Sequence, residues 1–91
     1  MAQVVITMKI MPEGVDVDLT SIEAEAKDAI LAFGGEVGRV NIEPIAFGLK
    51  ALILIFVMDE SKGSTDELEN KVKTIEGVNS VEITDVRRAV G

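Results

Sequence analysis

The chain has 91 residues, enough for one domain with a single modest core, and its 47% apolar and 27% charged composition argues against disorder. It contains no cysteine, histidine, tyrosine or tryptophan, which excludes disulfides, thiolate metal sites, cysteine nucleophiles and the commonest general base. A net charge of −7 points away from direct nucleic-acid binding, which draws on lysine and arginine against phosphates, and favours a neutral or basic partner.

The opening residues, MAQVVITMKI, lack the basic start and long apolar run of a signal peptide. No apolar stretch reaches the roughly 18 residues that a membrane helix needs. The expectation is a cytoplasmic protein with no membrane contact. Val4, Ile6, Met8 and Ile10 alternate with Val5, Thr7 and Lys9, the period of a half-buried strand over Val4–Met11. PEGVDVD then breaks the pattern. Asp18 is positioned to cap a helix whose apolar stripe is Leu19, Ile22, Ala26, Ile30 and Phe33, with Glu23 and Lys27 paired on its outer face. Gly34 and Gly35 end it.

Glu36 to Glu43 alternates again, with Val40 and Ile42 expected inward and Arg39, Asn41 and Glu43 outward. Pro44, which has no N–H to donate, is expected to close that strand, leaving residues 45–48 as a short link. Leu49–Met58 forms the third strand, with Leu52, Leu54 and Phe56 on one face and Ala51, Ile53, Ile55 and Val57 on the other. After the polar DESKGST, Ser64 or Thr65 caps a second helix with buried Leu68, Val72 and Ile75; a Ser64 cap would put Glu67 at the capping-box position. Glu67–Lys71 and Glu69–Lys73 are expected to pair along it. Gly77 stops the helix, and VNSVEITDV supplies a fourth strand through Val81 and Ile83.

The order β-α-β-β-α-β predicts an α+β, ferredoxin-like plait over residues 1–91: a four-stranded antiparallel sheet with two helices on one face and the first and third strands central. The other face would carry Val5, Ile53 and Ile55 as apolar residues, either ordinary strand surface or a patch that something covers.

Chemistry is sparse. SKGST lacks the spacing of a phosphate loop, and GGEVG follows a helix where a dinucleotide motif would follow a strand. The open face offers no aromatic for stacking RNA bases. Asp59, Glu60, Asp66, Glu67 and Glu69 cluster before and within the second helix, where a solvated loop and a well-charged helix start account for them better than a metal site. No catalytic residue, cofactor or metal is expected. Phe47 is harder to place. A phenylalanine in a short turn ordinarily folds back over the core, whereas an exposed one is a candidate binding anchor, and periodicity does not choose between them.

The run PIAFGLKAL (44–52), followed by VMDESKGSTDELE (57–69), resembles the translation elongation factor 1-beta family, in its short archaeal form. The resemblance covers nearly the whole chain and independently implies the ferredoxin-like plait. It implies a guanine nucleotide exchange factor acting on the GTPase elongation factor 1-alpha, releasing GDP so that GTP reloads. Phe47, flanked by Ala46 and Gly48 and followed by Lys50, is implied to press near the magnesium and switch region of that GTPase. Eukaryotic relatives carry a glycine where Ala46 stands and a lysine where Ala51 stands. They also end in a tail with a penultimate lysine, which this chain lacks; Arg87 and Arg88 are the candidates to bring positive charge there. A monomer is expected. A second reading is a small regulatory plait that binds a ligand and self-associates through its open sheet face, and a third is a minimal carboxylate enzyme.

Overall fold

Alternation along β1 (Gln3–Pro12) sorts its side chains: Ile6, Met8 and Ile10 are sealed from solvent, while Val5, Thr7 and Lys9 stay partly exposed. The computed structural model describes residues 2–89; Met1, Val90 and Gly91, which the single-domain expectation includes, lie outside the described residues. α1 (Leu19–Phe33) begins where the Asp18 carboxylate accepts the Thr20 N–H at 3.0 Å, and buries Ile22, Ala26, Ala29 and Ile30. Glu23 and Lys27 pair at 3.0 Å on its outer face. Gly34 ends it in the left-handed conformation, φ 105°, returning its N–H to the carbonyls of Ile30 and Leu31.

The remaining elements are β2 (Glu36–Ala46), β3 (Leu49–Asp59), a single 3-10 turn over Glu60–Lys62, α2 (Asp66–Lys73) and β4 (Val78–Ala89). The sheet order is β2-β3-β1-β4 with every neighbour antiparallel, so β1 and β3 are central and the plait is ferredoxin-like. One apolar cluster joins the layers: Ile22, Ala26 and Ile30 of α1 and Leu68 and Val72 of α2 meet Ile6, Met8, Leu52, Leu54, Phe56 and Met58 of the central strands. Both helices therefore cover the same face.

Five local expectations are corrected. Pro44 does not close β2: it lies within the strand opposite Lys50, because β2 is an edge strand and a missing N–H there leaves no ladder partner unsatisfied. The link accordingly shrinks to Phe47 and Gly48. Ile42 is not inward; Val37 and Val40 pack against the core, but Ile42 lies further along the edge toward the turn and is 46% exposed. On α2 the cap position falls on Thr65, so Glu67 is one residue short of a capping box, and the Ser64 hydroxyl instead accepts the Asp66 N–H at 3.1 Å. Among the described residues Glu67–Lys71 and Glu69–Lys73 form no ion pair, and the Glu69 carboxylate accepts the Thr65 hydroxyl at 2.9 Å. β4 also runs past Val86 to Ala89, because β1 starts as early as Gln3 and offers it a partner that far.

Candidate partner-binding site at the hairpin turn

β2 and β3 are joined by a two-residue turn closed by the pair Ala46–Leu49. Phe47 has φ 53° and Gly48 φ 80°, the sign pattern of the type I′ turn, whose twist matches that of the strands it connects. Glycine adopts that conformation freely. A phenylalanine there sets its Cβ against its own backbone, at about 1–2 kcal/mol. The usual reason to keep a large aromatic would be packing, yet Phe47 is 101% exposed. Neither backbone preference nor the core accounts for it.

The turn has company at its end of the molecule. β1 delivers the Pro12–Asp18 segment there, and the turn between α2 and β4 lies beside it, tied by Glu13 N–H to the Gly77 carbonyl at 2.8 Å. Val15 at the crest of that segment is 66% exposed, and a Cβ on Gly48 would stand 3.7 Å from its Cγ1. Ile45 is 40% exposed. Between segment and turn runs a groove of about 280 Å³ whose lining includes Pro12, Val15, Leu19, Gly48 and Lys50. Sequence reasoning found Ala46, Phe47, Gly48 and Lys50 but missed Val15 and Ile45. Val15 and Val17 alternate with Asp16 and Asp18, but so short an alternation inside a loop does not tell which valine packs inward and which stays in solvent.

Arg87 and Arg88 are not part of this cluster. They lie within β4, opposite Val5 and Val4, and Val5 pairs on its other side with Val57 near the end of β3. Leu49 to Val57 is eight strand steps, so roughly 27 Å of sheet separates the arginines from the turn. Arg87 Nε donates to Asp85 at 2.8 Å, and the Arg88 guanidinium pairs with Glu60; both arginines remain exposed. The acidic residues at this far end serve local structure. Asp59 accepts the Ser61 N–H at 2.8 Å, and the Ser61 backbone and hydroxyl hold its carboxyl below the ordinary value. Among the described residues no three acidic side chains are placed to hold a metal ion. None of their helices is long and apolar enough to cross a membrane.

Residues 5–89 match the model of the EF-1 guanine nucleotide exchange domain. The chain belongs to that family. Among its relatives, proteins named Elongation factor 1-beta are 44% identical in Methanothermobacter thermautotrophicus and 47% in Methanobrevibacter smithii, each over 88 residues, covering 97% of this chain and 98% of the relative. The Staphylothermus marinus protein of the same name is 45% identical over 89 residues with the same coverage. Of solved structures, the C-terminal domain of the MgtC protein from Mycobacterium tuberculosis superposes with TM-score 0.64 at 13% identity, covering 97% of this chain and 88% of that one. The ACT domain of a Chlorobium tepidum GTP pyrophosphokinase gives 0.58 at 18% identity, covering 87% and 95%. At such identities these two likenesses speak to the plait alone. For the exchange domain, a role in nucleotide exchange during elongation is thereby favoured over the regulatory plait.

Proposed function

We propose that this exchange domain binds the GTPase elongation factor 1-alpha and speeds its GDP release by pressing Phe47 into the surface around the bound nucleotide and its magnesium. The observation that carries this reading is a fully exposed phenylalanine on a positive-φ turn position, where isolated folding gains nothing from it.

Exchange requires no covalent step, so a chain without histidine or cysteine lacks nothing it needs. The factor must bind the nucleotide-free GTPase better than the GDP-bound one, and by reciprocity GDP then weakens its grip. Burying an exposed Phe ring supplies about 2–3 kcal/mol, and a two-residue turn tied by the Ala46–Leu49 pair delivers it with little ordering left to do. Lys50 and the turn backbone at Ala46 and Gly48 frame the contact. The charge of −7 suits a partner with a basic surface and speeds encounter, as the cytoplasmic handling of tRNA by such a GTPase would favour. Arg87 and Arg88 form a second candidate contact, which a partner reaches only by spanning the sheet's length.

The test is release of a fluorescent GDP analogue from elongation factor 1-alpha. Acceleration is expected with the intact chain, and none at stoichiometric concentration overturns the reading. Phe47→Ala is expected to slow exchange at least about tenfold while far-ultraviolet dichroism stays unchanged. An unaltered rate removes Phe47 from the mechanism.

A further inference from the structure

The sheet has two edges, β2 and β4, and they differ. β4 is bulged midway, where its register with β1 shifts between Ile83 and Asp85, and its arginines are engaged, Arg87 by Asp85 and Arg88 by Glu60. β2 keeps regular register with β3 from Arg39 to Pro44, with a shift on either side. Pairing with Ile55, Ile53 and Ala51 puts Arg39, Asn41 and Glu43 on the open face of the sheet, and pairing with Leu54 and Leu52 puts Val40 and Ile42 on the helix face. All but the half-buried Val40 are exposed. Pro44 keeps its place in the ladder without an N–H, which fits a nitrogen on the empty side; backbone groups alternate in direction, so Ile42 and Val40, two and four positions back, turn theirs the same way. Among the described residues neither Arg39 nor Glu43 has an ion-pair partner, and four strand steps, roughly 13 Å, keep them from pairing with each other.

We propose that two copies of the chain pair antiparallel through β2, about a two-fold axis at Asn41, forming one continuous eight-stranded sheet in place of the expected monomer. The strand itself selects this occupant and this register. With Asn41 at the axis, Arg39 of each copy stands opposite Glu43 of the other, giving two ion pairs on the open face at the Cβ separation of about 4.5–5.5 Å that cross-strand neighbours have. On the helix face the same register sets Val40 against Ile42 twice, covering a side chain that is 46% exposed in one copy. Val40 and Ile42 also exchange the backbone hydrogen bonds across the axis. Pro44 falls opposite Gly38, where the regular stretch ends and a missing N–H matters least. A slip of two residues either way leaves Arg39 opposite Asn41 or Ile45 and removes both ion pairs. The net charge of −7 on each copy opposes association, but a Debye length of about 8 Å at 0.15 M salt confines that repulsion to near neighbours. The axis throws the two Phe47 turns to opposite ends of the interface, about 40 Å apart, so the pairing stands independently of the exchange reading.

The experiment is sedimentation equilibrium of the full chain at about 0.15 M salt, from micromolar concentration to about 1 mM. A reversible monomer–dimer equilibrium is expected within that range, as suits a small interface. Arg39→Glu and Glu43→Arg each set like charges opposite one another at two places, and each alone is expected to weaken the dimer at least about tenfold. Mixed in equal amounts, the two variants bring opposite charges together at both places, so the mixture is expected to dimerise about as tightly as the intact chain. The double variant Arg39→Glu/Glu43→Arg is expected to do the same alone. Thermal melts check folding, which substitutions at exposed edge positions leave undisturbed. An intact chain that stays monomeric to about 1 mM overturns the pairing. So does a dimer that either single reversal leaves unchanged, which places the contact elsewhere. A dimer that both reversals weaken and the mixture fails to rescue overturns it too, since the register is then another. Exchange is read in none of these arms, so each outcome bears on the pairing alone.

Discussion

A phenylalanine at φ 53° with its ring wholly in water is opposed by backbone sterics and by hydration together. Asparagine suits that turn position far better, since its short polar side chain tolerates the left-handed region. Phe47→Asn is therefore expected to stabilise the isolated protein by about 1 kcal/mol in urea denaturation while abolishing most exchange. A variant less stable than the parent would mean that the ring makes a stabilising contact in solution. Opposite signs for stability and activity are the signature of a residue retained for a partner. The position of the turn was legible from Gly48 and the apolar run that follows; the exposure of Phe47 was not, because the ordinary behaviour of a large aromatic points inward.

At the scale of elements, β1 and α1 were readable because their buried positions repeat cleanly at two and at three to four residues, and the Asp18 cap sits where the pattern begins. β2 was not, because whether a proline ends a strand depends on which strands flank it, a property of the sheet rather than of the local chain. The start of α2 was blurred by two adjacent hydroxyl residues, Ser64 and Thr65, and pairing decided for Glu69 in favour of Thr65 over Lys73. The end of β4 depended on a partner more than 80 positions earlier, which no local pattern reports. The 3-10 turn after β3 yields a pH prediction. Asp59 caps it as a carboxylate, with a folded-state pKa below the ordinary 3.8. Its contribution is thus complete above that value and lost as pH falls through the folded pKa. Asp59→Ala is expected to be less stable than the parent near neutrality, with the two urea stability curves converging in acid. Parallel curves at all pH values would deny the carboxylate this role.

The whole molecule measures 42 × 21 × 17 Å and keeps its two candidate contacts at opposite ends of the long sheet: the turn with Val15 at one, Arg87 and Arg88 at the other. The sequence resemblance brings all six expected site residues to one partner, and only the strand order reveals that they form two groups. If both groups touch the GTPase, they do so independently, and Phe47→Ala combined with Arg87→Ala is expected to change the exchange barrier by the sum of the single effects within about 0.5 kcal/mol. A larger discrepancy would show that the partner, deformed at one end, alters its grip at the other.

The pairing of Gln3 with Ala89 places the start and the finish of the described chain side by side, at the end of the sheet remote from Phe47. Whatever is attached through either of them, a fluorophore, a bead or a sensor surface, holds the molecule by its tail and points the turn away. The same adjacency makes the protein a candidate for circular permutation, with a short hairpin bridging the old ends and new ones opened at Gly63, where the backbone has open space around it. A permutant that still drives exchange would show that the activity needs the turn and its neighbours in place, with no requirement for the order in which the chain visits them.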